Sequence, residues 1–170
     1  MITKEDVMQA LEQVPDPEMP ISIVDLGLVE DVELHRDNGA IDVSIELLPT
    51  FVGCPALDMI QGDVEAKVGA LQGVGKVSVH FSYDPPWSVD RISEQGRASL
   101  REHGVTVPER GARLPVPGHQ GTVELKVSAV PCPFCGSSST YLDSAFGPTR
   151  CRMIYYCKAC KNSFEHMKKV

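Results

Sequence analysis

Two cysteine pairs near the C-terminus carry the clearest chemistry in this chain. Cys132-Pro133-Phe134-Cys135-Gly136 and Cys157-Lys158-Ala159-Cys160-Lys161 are Cys-x-x-Cys turns with 21 residues between them. Two intervening residues let both sulfurs of a turn face one ion, and two such turns complete a tetrahedron of thiolates. Gly136 can take the positive φ that follows such a knuckle. The connection slightly exceeds the roughly 15–20 residues usual between pairs. A hairpin fills it: Thr140–Phe146, a turn at Gly147-Pro148, then Arg150–Tyr156. The pattern predicts a zinc ribbon with Cys132, Cys135, Cys157 and Cys160 as metal ligands. Four thiolates also suit iron or an Fe–S cluster. The bland alternative is two metal-free thiol pairs, but ~40 residues are too few for a core without a metal or disulfides.

Two further cysteines stand outside the quartet. Cys151 lies on the second arm of the expected hairpin, where a buried structural thiol, a fifth ligand and an exchange position for a transferred metal are all open. Cys54 sits in Leu48-Pro49-Thr50-Phe51-Val52-Gly53-Cys54-Pro55-Ala56, between a strand and a helix. Pro55 fits the first helical position, which would put Cys54 at the cap. There the helix dipole and free N–H groups would favour its thiolate. A lone cysteine cannot enclose a metal, so a partner ligand or a second copy of the chain, as in a homodimer, would have to complete the site. On spacing alone a buried small residue is the simpler account. None of His35, His80, His103, His119 and His166 lies in a catalytic motif, which argues against a nucleophilic enzyme.

The elements that must position these residues read as follows. Thr3-Lys4-Glu5-Asp6 is a capped helix start, with Val7, Leu11 and Val14 at helical spacing before Pro15-Asp16-Pro17. Strands are expected over Leu26–His35 and Ala40–Leu48, joined through Asn38-Gly39, a hairpin signal. Ile41, Val43, Ile45 and Leu47 alternate with Asp42, Ser44 and Glu46, as on a half-buried strand. A second helix runs from about Cys54 to Leu71, with Gly73 and Gly75 beyond it. Val77, Val79 and Phe81 form a third strand. A weaker helix covers Ser88 to His103, and Trp87 before it reads as a packing anchor. The order α-β-β-α-β-α predicts an α+β fold, a small mixed sheet with packed helices, plus the C-terminal zinc ribbon.

Composition limits the classes of function. In 170 residues one domain and a small appendage fit: an α/β domain over 1–104, a Pro/Gly-rich linker over 105–122, and a ribbon domain over 123–170 opened by a β-like Val123–Val130. Residues 1–104 carry 19 acidic against 7 basic side chains, a net −12, while residues 131–170 carry 2 against 6, a net +4. An acidic main domain repels nucleic acid, and four thiolates around a divalent ion would reduce the ribbon to about +2. No partner of that kind is expected. Nor is a membrane, since no run reaches the ~18–20 apolar residues of a span. The N-terminus lacks the basic start and apolar core of a signal peptide. A cytoplasmic protein is expected, whose thiols serve metals rather than disulfides.

With these residues in hand, the chain resembles the PaaD (or PaaJ) family, small components of the bacterial phenylacetyl-CoA epoxidase system. Its N-terminal part is similar to the broader MIP18 or DUF59 iron–sulfur assembly family. The resemblance rests on Asp16-Pro17-Glu18, Val24-Asp25-Leu26-Gly27-Leu28-Val29, Pro49 to Ala56, Pro85-Pro86-Trp87 with Asp90, and Ser144 to Cys151 before Tyr156-Cys157-Lys158-Ala159-Cys160. Phe51 and Val52 replace the tyrosine and serine more usual before the Gly-Cys. The resemblance implies an accessory role in aerobic phenylacetate breakdown, not catalysis. Its clients would be epoxidase subunits, a di-iron oxygenase or an Fe–S reductase, whose metal centres it would help assemble or repair. It carries over Cys54 as ligand of a transient iron–sulfur cluster or iron, with Asp16 and Glu18 beside it. The competing expectation is a non-catalytic docking subunit of the epoxidase with Cys54 inert.

Overall fold

The computed structural model describes residues 1–37, 39–111 and 129–169. Helix α1 (Lys4–Leu11) starts on a capping box. Thr3 Oγ1 accepts from the Asp6 N–H at 3.2 Å, and the Asp6 carboxylate accepts from the Thr3 N–H at 2.8 Å. Strands β1 (Val29–Asp37) and β2 (Ala40–Leu47) form an antiparallel hairpin, and Gly39 takes the positive φ its turn needs. Asn38 of the expected turn lies outside the described residues. Helix α2 (Leu57–Gly69) crosses over to β3 (Val74–Phe81), which pairs with β2 in parallel. The three-stranded mixed sheet has the order β1-β2-β3.

Val43, Ile45 and Leu47, the apolar set of β2, are buried with Ile60, Val64 and Val68 of α2 and Val7 and Leu11 of α1 in one core. At roughly 25 cal/mol per Å², burial of this area is the main force that joins the helices to the sheet. Trp87 anchors the next segment: it is 3% exposed and its Nε1 donates to the Leu26 carbonyl at 2.9 Å. The helix expected over Ser88–His103 is shorter. A single 3₁₀ turn spans Val89–Arg91, and α3 (Glu94–Glu102) begins only after Ser93, whose hydroxyl caps the Gly96 N–H at 2.9 Å.

The ribbon holds β5 (Thr140–Ser144), β6 (Arg152–Cys157) and β7 (Ser163–Met167). Strand β4 (Val105–Thr106) pairs with β7, giving a sheet ordered β4-β7-β6-β5. Val105 and Thr106, where the Pro/Gly-rich linker was expected to start, are thus strand. Residues 112–128, and with them most of the Val123–Val130 lead-in, lie outside the described residues. The ribbon keeps its own small core of Cys132, Tyr155, Cys157 and Phe164. Its Met167 and Cys151, however, are buried in the core of the N-terminal domain. Among the described residues no helix is long and apolar enough to cross a membrane.

Candidate metal centre and the Cys54 loop

The four predicted ribbon ligands converge. The sulfurs of Cys132, Cys135, Cys157 and Cys160 all lie within 4.8 Å of one another. Cys132 Sγ is 3.6 Å from Cys160 Sγ, and Cys135 Sγ is 3.6 Å from Cys157 Sγ. A tetrahedral ion with metal–sulfur bonds of about 2.3 Å sets its sulfurs about 3.8 Å apart, so the cage fits such an ion. Two local turns build it. The Gly136 N–H donates to the Cys132 carbonyl at 2.8 Å, and the Lys161 N–H to the Cys157 carbonyl at 2.9 Å. Gly136 and Lys161 both take positive φ after their knuckles, as tight turns with amides aimed at sulfur require. The Asn162 backbone N–H bonds the Cys160 sulfur and lowers its pKa, whereas Cys135, despite a bond from the Ser137 N–H, is raised by burial and by the other three thiols, so the quartet shares its protons as one coupled group.

Cys54 stands elsewhere, on the loop between β2 and α2. Helix α2 begins at Leu57 with Ala56 as its N-cap residue, so Cys54 is not at the cap. This corrects the expectation of a lowered thiol pKa. Burial pushes the Cys54 thiol up, and the charges of Glu18, Asp16 and Cys151 add to the rise. Only the Ala56 N–H bond opposes it. Cys54 is half-buried and packs against the N-terminal core. Next to it Gly53 has φ +76 with open space where a Cβ would stand, while Val52 is 74% exposed. Val52 thus presents an apolar side chain to solvent, while Phe51 beside it packs against the N-terminal core.

Asp16 is fixed by its own turn: its Oδ1 accepts from the Glu18 N–H at 2.9 Å and the Met19 N–H at 2.8 Å. Burial raises its pKa against those two bonds. The loop around it is closed by the Asp16 N–H bond to the Ile21 carbonyl at 2.9 Å. Asp16 and Glu18 thus lie close enough for their charges to act on Cys54, as does Cys151. Two residues that sequence reasoning left unassigned complete the surroundings. Arg152 is 8% exposed, pairs with Glu165 and donates to the Glu18 carbonyl at 3.3 Å. Thr149 Oγ1 lies 3.1 Å from the Cys151 sulfur. The only sequence signal for Arg152 was a cation beside a hairpin cysteine, which does not tell a surface arginine from a buried one.

An α+β domain with a loop thiol, joined to a four-thiol ribbon, defines a class. Residues 4–79 match the family model described as "Iron-sulfur cluster assembly protein", and residues 117–168 match "PaaD zinc beta ribbon domain". Over 164 residues the chain is 33% identical to an Escherichia coli (strain K12) protein named as one of the subunits of 1,2-phenylacetyl-CoA epoxidase, covering 96% of this chain and 91% of that one. The chain belongs to this PaaD family, an iron–sulfur assembly domain joined to a zinc β-ribbon. Its N-terminal part is also 39% identical over 97 residues to the "Fe-S protein maturation auxiliary factor YitW" of Bacillus subtilis, covering 57% of this chain and 92% of that protein. A crystal structure of a "Domain of Unknown Function DUF59" from Bacillus anthracis superposes with a TM-score of 0.52 at 33% identity, covering 57% of this chain and 90% of that one.

Proposed function

We propose that this protein is a non-catalytic accessory factor of the 1,2-phenylacetyl-CoA epoxidase system, acting in the cytoplasm to assemble or repair the iron–sulfur or di-iron centres of its subunits. Cys54 is the thiol that receives the cargo, with Asp16 and Glu18 beside it, and zinc in the ribbon is structural. The supporting observation is the contrast between two kinds of sulfur site. The ribbon quartet sets four sulfurs around one point, and a closed tetrathiolate site would hold a metal rather than pass it on. Cys54 is half-buried on an open loop next to carboxylates, where iron or a cluster could be taken up and released. The names of the Escherichia coli and Bacillus subtilis relatives support the client and the role, respectively. Family membership and the charge on residues 1–104 both speak against nucleic acid as a partner.

Cys54→Ala tests this in a host that lacks its own copy and grows on phenylacetate. The expected result is loss of epoxidase-dependent growth with unchanged folding and ribbon metal. Growth equal to wild type supports the second reading, a docking subunit. That reading draws on the exposed Phe146 and Val52, which suit contact with another protein.

A further inference from the structure

A cavity of about 750 Å³ opens where α3 meets the ribbon, within the roughly 300–1,000 Å³ usual for small-molecule sites. None of the four ribbon cysteines lines it, nor do Asp16, Glu18 or Cys54. One wall is the face of α3 that carries Glu94, Arg97, Ala98 and Arg101 at helical spacing. A second wall belongs to the ribbon: Val130 and Pro131 ahead of the first knuckle, Tyr155 of β6 and His166 of β7. Val107 and Pro108, just after β4, complete the lining.

Two polar atoms of this cavity lack partners. Tyr155 is 5% exposed and His166 8%, and His166 Nδ1 is taken by the Thr106 hydroxyl at 2.7 Å. The Tyr155 hydroxyl and His166 Nε2 have no hydrogen-bond partner among the described residues. Yet the one unpartnered side-chain polar atom fully shut off from solvent among those residues is Asp90 Oδ1. Both atoms therefore reach open space, and the cavity is the space that both residues line. Their rings pack edge to face with centroids 5.4 Å apart, which fixes the pair. The α3 wall adds charge. Arg97 donates from its three nitrogens to the carbonyls of Ile92, Pro108 and Val89, and Glu94 is paired with Arg110. The Arg101 guanidinium has neither a hydrogen bond nor an ion pair among the described residues. With Arg110 counted, three arginines face two glutamates, Glu94 and Glu109, a net +1 around the opening.

We propose that this cavity binds a small organic anion with an apolar body. Its charge meets Arg101, its body lies among Ala98, Val107, Pro108, Val130 and Pro131, and a polar group of its own meets Tyr155 and His166. The site does not depend on the role of Cys54. Few convergent polar groups in an apolar cleft between two domains are what orient a small ligand, and a ligand that pairs with buried polar atoms is favoured over one that leaves them unpaired. Because α3 belongs to one domain and Tyr155 and His166 to the other, an occupied cavity also holds the ribbon against α3.

The test uses the full-length protein with its ribbon metal in place. The probe is anilinonaphthalenesulfonate, an apolar anion that carries one N–H and fluoresces when bound. Wild type should bind one equivalent saturably, naphthoate should displace it, and the naphthylmethylammonium cation should leave it bound. The amide resonances of Val107, Tyr155 and His166 should shift on titration. Arg101→Gln, at an exposed position, should weaken binding about 10–100-fold, the loss of a charge-assisted bond. Ala98→Trp, also at an exposed position, should fill the opening and abolish binding, and both variants should keep the wild-type urea midpoint. No saturable binding by wild type, or equal affinity in Arg101→Gln, overturns the proposal. So does displacement by the cation as readily as by naphthoate. Shifts confined to the exposed Val52 and Phe146 would mean adventitious apolar contact only and overturn it too. The wild-type measurements need no variant, so they decide the matter even if a variant folds poorly.

Discussion

Arg152 Nη2 donates to the backbone carbonyl of Glu18 at 3.3 Å, a contact across 134 positions of sequence. The other arm of the same guanidinium is paired with Glu165 of β7. Through one buried side chain, the hairpin that carries Cys151 is tied to the turn that carries Asp16. Planar, multidentate recognition of this sort suits arginine and not lysine.

Replacing Arg152 with Met keeps much of the volume and removes all three bonds of the guanidinium, leaving Glu165, the Glu18 carbonyl and the Thr149 hydroxyl without their partner. The expected loss is about 2 kcal/mol, because a half-solvated carboxylate pays less than a fully buried one. A urea titration measures it, and limited proteolysis should show the ribbon cut more readily while the N-terminal domain persists. Arg152→Lys should rescue only part of the loss.

The ribbon should depend on a bound metal. Among the described residues its own buried core is Cys132, Tyr155, Cys157 and Phe164, two of which belong to the four-thiol cage. Structural zinc supplies on the order of 10 kcal/mol to modules of this size. Cys135→Ser should release the metal and leave residues 131–169 open to protease, while the core around Ile45 and Val64 stays folded. Metal analysis beside a timed digestion checks both halves of this prediction.

Acid should weaken the junction between the domains at a second point. His166 on β7 is 8% exposed, lies 2.7 Å through Nδ1 from the Thr106 hydroxyl of β4, and has its pKa lowered to about 4 by burial. Glu94, Arg97 and Arg101 of α3, with Glu109 and Tyr155, face the same cavity. The unfolded chain takes up the imidazole proton near 6.5, whereas the folded chain resists it down to about 4. The stabilisation is therefore complete above pH 6.5 and is lost as pH falls through that window. Roughly 3 kcal/mol is at stake if the full shift is realised. Urea midpoints measured from pH 7.5 to 4.5 should fall with this slope, and His166→Asn should flatten it.

What local sequence signals could reveal, they did. The capping box at Thr3 and Asp6, the alternation from Ile41 to Leu47 and the four ribbon cysteines each depend on residues within one element or one turn. The signals failed where the outcome depended on distant packing. Pro55 implied a helix start at Cys54, but the chain turns further before α2 begins at Leu57, so burial and nearby carboxylates, not a helix dipole, set the state of this thiol. Strand β7 holds only Phe164, His166 and Met167 as buried positions, too few to announce a strand. Two-residue β4 exists because β7 offers it an edge. The burial of Cys151 in another domain's core is long-range in the same sense, and no spacing rule contains it.

The most direct test of the central claim is anaerobic reconstitution with iron and sulfide of wild type and Cys54→Ala, both carrying ribbon metal, followed by absorption spectra and analysis for iron, sulfide and zinc. The account predicts labile iron with thiolate-to-iron absorption in wild type, its loss in Cys54→Ala, and the same ribbon metal content in both. Equal iron and equal spectra in the two proteins would contradict it.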